Sequence, residues 1–276
     1  MNGKIICINK YLHSVLLSNE EVIECTTRGK IRNDNIVPLV GDNVIVDYQN
    51  KMIEKVLPRR NELKRPLVSN IDKLLIVMST SIPSFSSYLI DKFLLIAYSN
   101  NIEPFIVITK MDTLKIKDKL LIRKYVKYYR KIGIRVYYNN QIKRIKKEFK
   151  NNTVALCGQT GAGKSTLLNK IDKTLNLETG EVSLSLGRGK HTTRLSIMME
   201  LCGGFIVDTP GFSMVDINIK KNEIKNYYKN FNKPCRYKSC LHDKEDYCKI
   251  KELVKNKKIP LWRYNNYIKL LGESNE

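Results

Sequence analysis

Apolar residues fall along this chain in two rhythms. Over residues 1–60 they form short runs: Ile5-Ile6-Cys7-Ile8, Ser14-Val15-Leu16-Leu17, Val22-Ile23-Glu24-Cys25-Thr26 and Asn43-Val44-Ile45-Val46-Asp47-Tyr48. Polar or glycine-containing pieces separate them, and Gly41-Asp42 ahead of the last run is a turn signal. Short strands at close spacing, with no helix-length pattern, predict a small barrel of the oligonucleotide-binding (OB) type. Arg59-Arg60 and Lys64-Arg65-Pro66 then read as a linker. From residue 70 the pattern becomes strand–helix alternation, which predicts a parallel sheet covered on both faces. The expected strands are Lys73–Met78, Pro104–Thr109, Arg135–Tyr138, Val154–Gly158 and Phe205–Asp208, with helices at Tyr88–Tyr98 and Leu120–Ile132 and one beginning at Lys164–Ile171. After residue 220 short helices surround a cysteine cluster, one of them starting at Pro260-Leu261-Trp262. The division that follows is a barrel over 1–66, an α/β domain over 67–220 and a small helical module over 221–276.

At 276 residues the chain can bury a real core. Its longest apolar stretches, such as Leu74–Met78, are far too short to span a bilayer. The N-terminus lacks the apolar core of a signal peptide, so a soluble cytoplasmic protein with no membrane partner is expected. Cys7, Cys25, Cys157 and Cys202 sit singly in strand-like runs and read as buried small hydrophobes. The net charge of +22 invites a polyanionic partner, although 36 lysines against 13 arginines also suits an AT-rich genome. Distribution separates the two readings. Between Lys115 and Lys150 there are 14 basic residues against Asp118 and Glu148, a local excess that favours an RNA-facing surface.

Three motifs carry nucleotide chemistry. Gly158-Gln159-Thr160-Gly161-Ala162-Gly163-Lys164-Ser165, followed by Thr166, matches G-x-x-x-x-G-K-[ST] after a predicted strand and at the opening of a helix. Its glycines let backbone N–H groups turn around the β-phosphate, Lys164 reaches the β- and γ-phosphates, and Ser165 offers a hydroxyl to Mg²⁺. Asp208-Thr209-Pro210-Gly211 ends another strand and fits D-x-x-G. There Asp208 would hold Mg²⁺ and the Gly211 N–H would bond the γ-phosphate, so the loop can sense hydrolysis. Thr109-Lys110-Met111-Asp112 resembles the guanine-reading motif with Thr109 in the usual asparagine position. Asp112 can accept from N1–H and N2–H₂ of guanine, a pair that adenine does not present, and the stem of Lys110 can pack over the base. The base motif ends 46 residues before the phosphate loop begins, the reverse of the usual order, which marks a circularly permuted GTPase.

Between the last two motifs, Leu184–Arg194 is a polar loop with two glycines and three basic residues. One of its threonines should complete the Mg²⁺ shell. Phe212 stands where many GTPases carry a water-orienting glutamine, and His191 is the nearest polar substitute, against an RNA-contacting or structural role. Finally, Cys235-x4-Cys240-x-His242-x5-Cys248 supplies three thiolates and one imidazole, the closed tetrahedral set of a structural zinc.

Taken together these residues resemble the ribosome small-subunit-dependent GTPase A (RsgA) family of circularly permuted bacterial GTPases. The resemblance runs from Leu39-Val40-Gly41-Asp42 through Arg65-Pro66 and Asn70-Ile71-Asp72 to the cysteine module, with Gly189-Lys190-His191-Thr192-Thr193 and the zinc spacing especially specific. It implies a multidomain α/β fold: an N-terminal OB-fold barrel, a circularly permuted P-loop GTPase domain and a small C-terminal helical zinc-binding domain. It implies late maturation of the small ribosomal subunit, contact with its rRNA, and slow GTP hydrolysis to GDP that the subunit stimulates, in a monomer using one structural Zn²⁺ and Mg²⁺ with GTP. By the same resemblance His191 orients water and Thr193 is the Mg²⁺-associated threonine. A GTP-regulated RNA-binding module with negligible hydrolysis is the alternative that Phe212 keeps open. No base-supporting Ser-Ala motif is recognisable near Tyr138-Asn139-Asn140, and Glu245-Asp246-Tyr247 replaces the Glu-Pro that often precedes the last zinc cysteine.

Overall fold

A computed structural model of the chain describes residues 1–27, 36–64, 67–175, 177, 197–208 and 217–274. The N-terminal strands are β1 (Asn2–Asn9), β2 (Leu12–Leu17), β3 (Val22–Thr27), β4 (Asn43–Asp47) and β5 (Met52–Val56). They pair in the order β1-β2-β3-β5-β4, and β4 returns to β1, so the sheet closes into a five-stranded barrel. Alternation drives closure. Along β2 every second residue is buried, and Ile5, Val15, Leu17, Ile23, Cys25, Val44, Val46 and Ile53 fill the interior. The fifth strand was not anticipated, because Met52-Ile53-Glu54-Lys55-Val56 has too few apolar positions to stand out.

The described part of the expected linker, Arg59, Arg60 and Lys64, is ordered structure, and Arg65 and Pro66 lie outside the described residues. β6 (Glu62–Lys64) and β7 (Leu67–Ser69) pair antiparallel, Arg59 is half-buried in an ion pair with Asp42, and Arg60, though exposed, pairs with Asp72. Asp42 is fully buried and accepts from Leu39 N (2.7 Å), Ser69 Oγ (2.6 Å) and the Arg59 guanidinium (2.8 and 2.9 Å). Beside it Gly41 has φ +98°, and a Cβ there would lie 2.1 Å from Ser69 O, so only glycine allows this approach. A buried carboxylate with this many donors ties the barrel to the start of the next domain.

That domain contains β8 (Lys73–Ser79), α1 (Ser87–Ser99), β9 (Glu103–Thr109), α2 (Ile116–Lys131), β10 (Arg135–Tyr138), α3 (Ile142–Phe149), β11 (Thr153–Cys157), α4 (Lys164–Ile171), β12 (Ile197–Leu201) and β13 (Gly204–Asp208). The strands lie in the order β10-β9-β8-β11-β13-β12, parallel except for β12, and β12 then meets β1 of the barrel at Cys7↔Ile197. Successive residues of β8 point to opposite faces: Leu74, Ile76 and Met78 pack with α1 and α2, while Leu75 and Val77 pack with α3 and α4. Burial on both faces explains the unbroken apolar runs. The antiparallel β12 departs from the expected all-parallel sheet, because a two-residue turn at Cys202-Gly203 folds it straight back on β13. Helix α3 was also missed, since only Ile145, Glu148 and Phe149 are buried in a segment otherwise rich in lysine.

The C-terminal module has α5 (Ile224–Tyr227), α6 (Lys249–Lys255) and α7 (Leu261–Glu273), capped at its start by Pro260. Its core of Ile217, Ile224, Tyr228, Phe231, Ile250, Tyr267 and Leu270 also takes in Leu95 of α1, so the module is packed on the α/β domain. Cys25 and Cys157 are buried, Cys7 and Cys202 half-buried, and none of the four is in a disulfide among the described residues. Among the described residues no helix is long and apolar enough to cross a membrane.

Candidate nucleotide and metal sites

In the sheet β8, β9 and β10 run to one side while β11 is added on the other, so the chain changes direction between β8 and β11. Crevices at the C-terminal ends of strands flanking such a point are where α/β sheets bind ligands, and the phosphate loop occupies it. Gly158 leaves β11 with φ +142°, and a Cβ there would sit 2.3 Å from Val77 O of the neighbouring strand. Gly161 (φ +76°) and Gly163 (φ +87°) supply the other left-handed turns, and Gly163 caps α4. As the cap residue, Gly163 has no side chain to bond the first turn of α4, so that position leaves the positive end of the helix to an anion. The Lys164 ammonium is held at the loop mouth by Gly158 O (2.8 Å) and Gln159 O (2.9 Å). Gln159 is half-buried, Thr160 and Thr166 are exposed, Ala162 is fully buried, and Ser165 is buried at the start of the helix.

The base motif lies on the same rim, one strand beyond β8. Thr109 ends β9 almost fully buried, and its hydroxyl donates to Ala162 O of the phosphate loop at 2.6 Å. Its side chain therefore fastens one loop to the other. Lys110 has a left-handed backbone (φ 58°), and its ammonium bonds Gly161 O (2.8 Å) and Ile82 O. Asp112 follows in a single 3-10 turn, exposed and free to present its carboxylate. Segments 46 residues apart in the chain are thus brought into direct contact. Sequence reading missed the buttresses of this rim. The Thr80 hydroxyl reaches Lys110 O (2.8 Å) and Thr109 O (3.1 Å), and the backbone N–H of Asn139 donates to Ile108 O at 3.0 Å. Neither residue belongs to a motif, and no local signal marks them.

Asp208 is the last residue of β13, adjacent to the phosphate-loop strand and paired with Ile197. His191, Thr193 and Gly211 lie outside the described residues, as do Thr192 and Phe212.

At the other site, the ligand atoms of Cys235, Cys240, His242 and Cys248 lie within 4.8 Å of one another. His242 Nδ1 is 3.5, 3.4 and 3.3 Å from the sulfurs of Cys235, Cys240 and Cys248, and the Cys235 and Cys248 sulfurs are 4.0 Å apart. A zinc tetrahedron with ordinary Zn–S and Zn–N bonds has edges of about 3.6 Å (S···N) and 3.8 Å (S···S), so the four groups fit the ion. The other ring nitrogen, His242 Nε2, is 2.9 Å from Phe231 O. Donation to that carbonyl fixes the tautomer and leaves Nδ1 as the ligand. Burial holds His242 below its usual pKa, keeping the ring neutral, and pushes the Cys240 thiol up to about 12. Three thiolates this close need a dication between them. With four protein ligands the site is closed, hence structural.

A phosphate loop at the switch point, a guanine-type motif reaching it from earlier in the chain, and a closed Cys₃His site define a circularly permuted P-loop GTPase with a barrel before it and a zinc module behind. Residues 56–218 match the RsgA GTPase family and residues 2–53 the RsgA N-terminal domain. The chain belongs to the RsgA GTPase family. It is 38% identical over 99% of its length to a Small ribosomal subunit biogenesis GTPase RsgA of Clostridium beijerinckii, covering 97% of that protein. A protein of the same name in Mycoplasmopsis agalactiae is 42% identical, with 99% of this chain and 98% of that one covered. Among solved structures, YloQ, described as a circularly permuted GTPase, superposes with a TM-score of 0.83 at 33% identity over 99% of this chain and 94% of its own. YjeQ from Thermotoga maritima gives 0.85, also at 33% identity, over 99% and 97%.

Proposed function

We propose that this protein hydrolyses GTP while bound to the small ribosomal subunit and acts in the late maturation of that subunit. The observation that carries the reading is the join between Thr109 and Ala162 and between Lys110 and Gly161, which makes one rim of a base motif and a phosphate loop taken from the chain in permuted order. The small-subunit role is supported by relatives of nearly equal length that carry that name. The division of labour is a barrel over 1–66, a GTPase domain over 67–220 and a zinc module over 221–276. The protein acts as a cytoplasmic monomer, and its partner surface is rRNA, which suits the net charge of +22.

In this reading Lys164 and the N-terminus of α4 bind the β- and γ-phosphates, and Asp112 selects guanine. Mg²⁺ bound with GTP would neutralise the phosphate oxygens, with Ser165, Thr193 and Asp208 as the residues to hold it. His191 orients the attacking water. The Gly211 N–H meets the γ-phosphate, so the segment after it responds to hydrolysis and leads towards the zinc module. GTP and ATP turnover measured alone, with small subunits and with large subunits tests all of this. GTP-specific turnover raised by small subunits alone is the expected result. Turnover of ATP at an equal rate, or none with either subunit, would overturn it.

A further inference from the structure

The zinc module displays a group of side chains that neither the nucleotide rim nor the metal site uses. Its rings at Tyr228, Phe231 and Tyr267 are buried, yet Tyr247 is 77% exposed and Tyr237 48% exposed. Arg236 lies over both exposed rings, its guanidinium carbon 5.8 Å from the centre of Tyr237 and 5.1 Å from that of Tyr247. Tyr247 also has a left-handed backbone, φ 55°, a region that bulky residues avoid. Its neighbours impose this conformation. Cys248 belongs to the ligand set, and the Glu245 carboxylate is fixed by the backbone N–H groups of Leu241 (2.6 Å) and Asp243 (2.9 Å). The ring is therefore held out into solvent at the expense of local backbone comfort, a pattern that points to use. Lys233, Lys238 and Lys244 are exposed nearby in the chain, and residues 233–251 carry six basic side chains against three acidic ones.

We infer that Arg236, Tyr237 and Tyr247 form a stacking platform for an unpaired RNA base, with the flanking lysines contacting its phosphates. The inference rests on the rRNA reading above and adds the place of contact and the state of the RNA. Exposed aromatic faces and a guanidinium plane recognise bases that have left a helix, whereas a duplex hides its base faces and offers phosphate and sugar alone. Arg236 set against two rings keeps both presented and adds cation–π attraction.

The test uses the full-length, zinc-loaded protein and two fluorescent probes, a single-stranded RNA 12-mer and a duplex of the same length, followed by anisotropy. Tyr247→Ala should weaken single-strand binding roughly tenfold and duplex binding by less than about twofold, and Tyr247→Trp should retain both. Tyr247→Gly relieves the left-handed backbone. It should lose single-strand binding to the same extent with unchanged zinc content and a thermal midpoint equal to or above that of the parent. Equal losses on both probes, no loss on either, or a lowered midpoint for Tyr247→Gly would overturn the platform. Small-subunit pelleting separates the two failures: a parent protein that binds subunits while the variants lose nothing defeats the platform alone, and a parent that binds neither subunits nor probes defeats the rRNA reading as well.

Discussion

Thr109 shows how one residue of the base motif can brace the phosphate loop. Its hydroxyl donates to Ala162 O from a nearly fully buried position, so Thr109→Val, which keeps the shape and removes the donor, strands a carbonyl beneath the phosphate loop. Such a loss costs about 1–3 kcal/mol. Denaturant unfolding should show it together with weaker GTP binding, and Thr109→Ser should restore both. Lys164→Ala removes the ammonium that Gly158 O and Gln159 O hold at the loop mouth. GTP turnover should fall by at least about a hundredfold, the scale seen when a preorganised charge-stabilising group is deleted; undiminished turnover would refute the assignment. Asp112 is exposed and free of the rim's internal bonds, so Asp112→Asn should leave stability unchanged and move preference from GTP towards xanthosine triphosphate, whose 2-oxo group accepts from an amide. Competition with the two nucleotides reads this directly. At this scale the glycines and Lys164 were legible, because the phosphate loop needs those residue types at fixed spacing. Thr80, Asn139 and the inward turn of Thr109 were not, because their bonds are made to residues dozens of positions away.

The contact between α1 and α7 joins the GTPase domain to the zinc module through a buried charge pair. Asp91 and Arg263 are both buried and ion-paired. Asp91 also accepts from Tyr129 (2.8 Å), Tyr228 (2.7 Å) and Asn266 (2.7 Å), while the Arg263 guanidinium lies 4.0 Å from the Tyr228 ring centre. Removing one partner leaves an uncompensated buried charge, so Asp91→Ala should destabilise by about 3–5 kcal/mol, whereas Asp91→Leu combined with Arg263→Met should lose far less. Comparison of the two in a denaturant titration checks the pairing. The zinc site works at the same level. The His242 carbonyl accepts from Tyr264 (2.8 Å) and the Leu241 carbonyl from Tyr267 (2.9 Å), tying α7 to the ligand loop. Stripping the metal with a strong chelator should therefore abolish the near-ultraviolet tyrosine signal of this module, and added zinc should restore it. Elements with strong periodicity, such as β8, β9 and α4, were legible from their apolar spacing. Helix α3 and strand β5 were not, since each buries only a few residues and owes its existence to what packs on it.

Over the whole molecule the excess charge becomes a surface. Helix α2 buries Ile122, Val126, Tyr128 and Tyr129 and exposes Lys117, Arg123, Lys124, Lys127, Arg130 and Lys131 on the opposite side. If this face meets rRNA phosphates, each lysine removed takes one released counterion with it. Replacing Lys124, Lys127 and Lys131 together by alanine should lower the salt dependence of small-subunit binding by about 2–3 in the log–log slope, and unchanged dependence would place the contact elsewhere. The barrel is also part of the sheet. Strand β1 pairs with β12 at Cys7↔Ile197, Ile6 and Ile8 pack against the GTPase core beside Met198, and Lys4 lies over the Phe205 ring. Strand β12 is thus an edge covered at its Ile197 end by the protein's own first strand. A shortened version beginning at residue 56 would leave that edge bare, with unpaired backbone donors and acceptors next to apolar side chains, the arrangement from which strand-to-strand aggregation starts. The N-terminal barrel, beyond anything it binds, acts as an intramolecular guard against self-association.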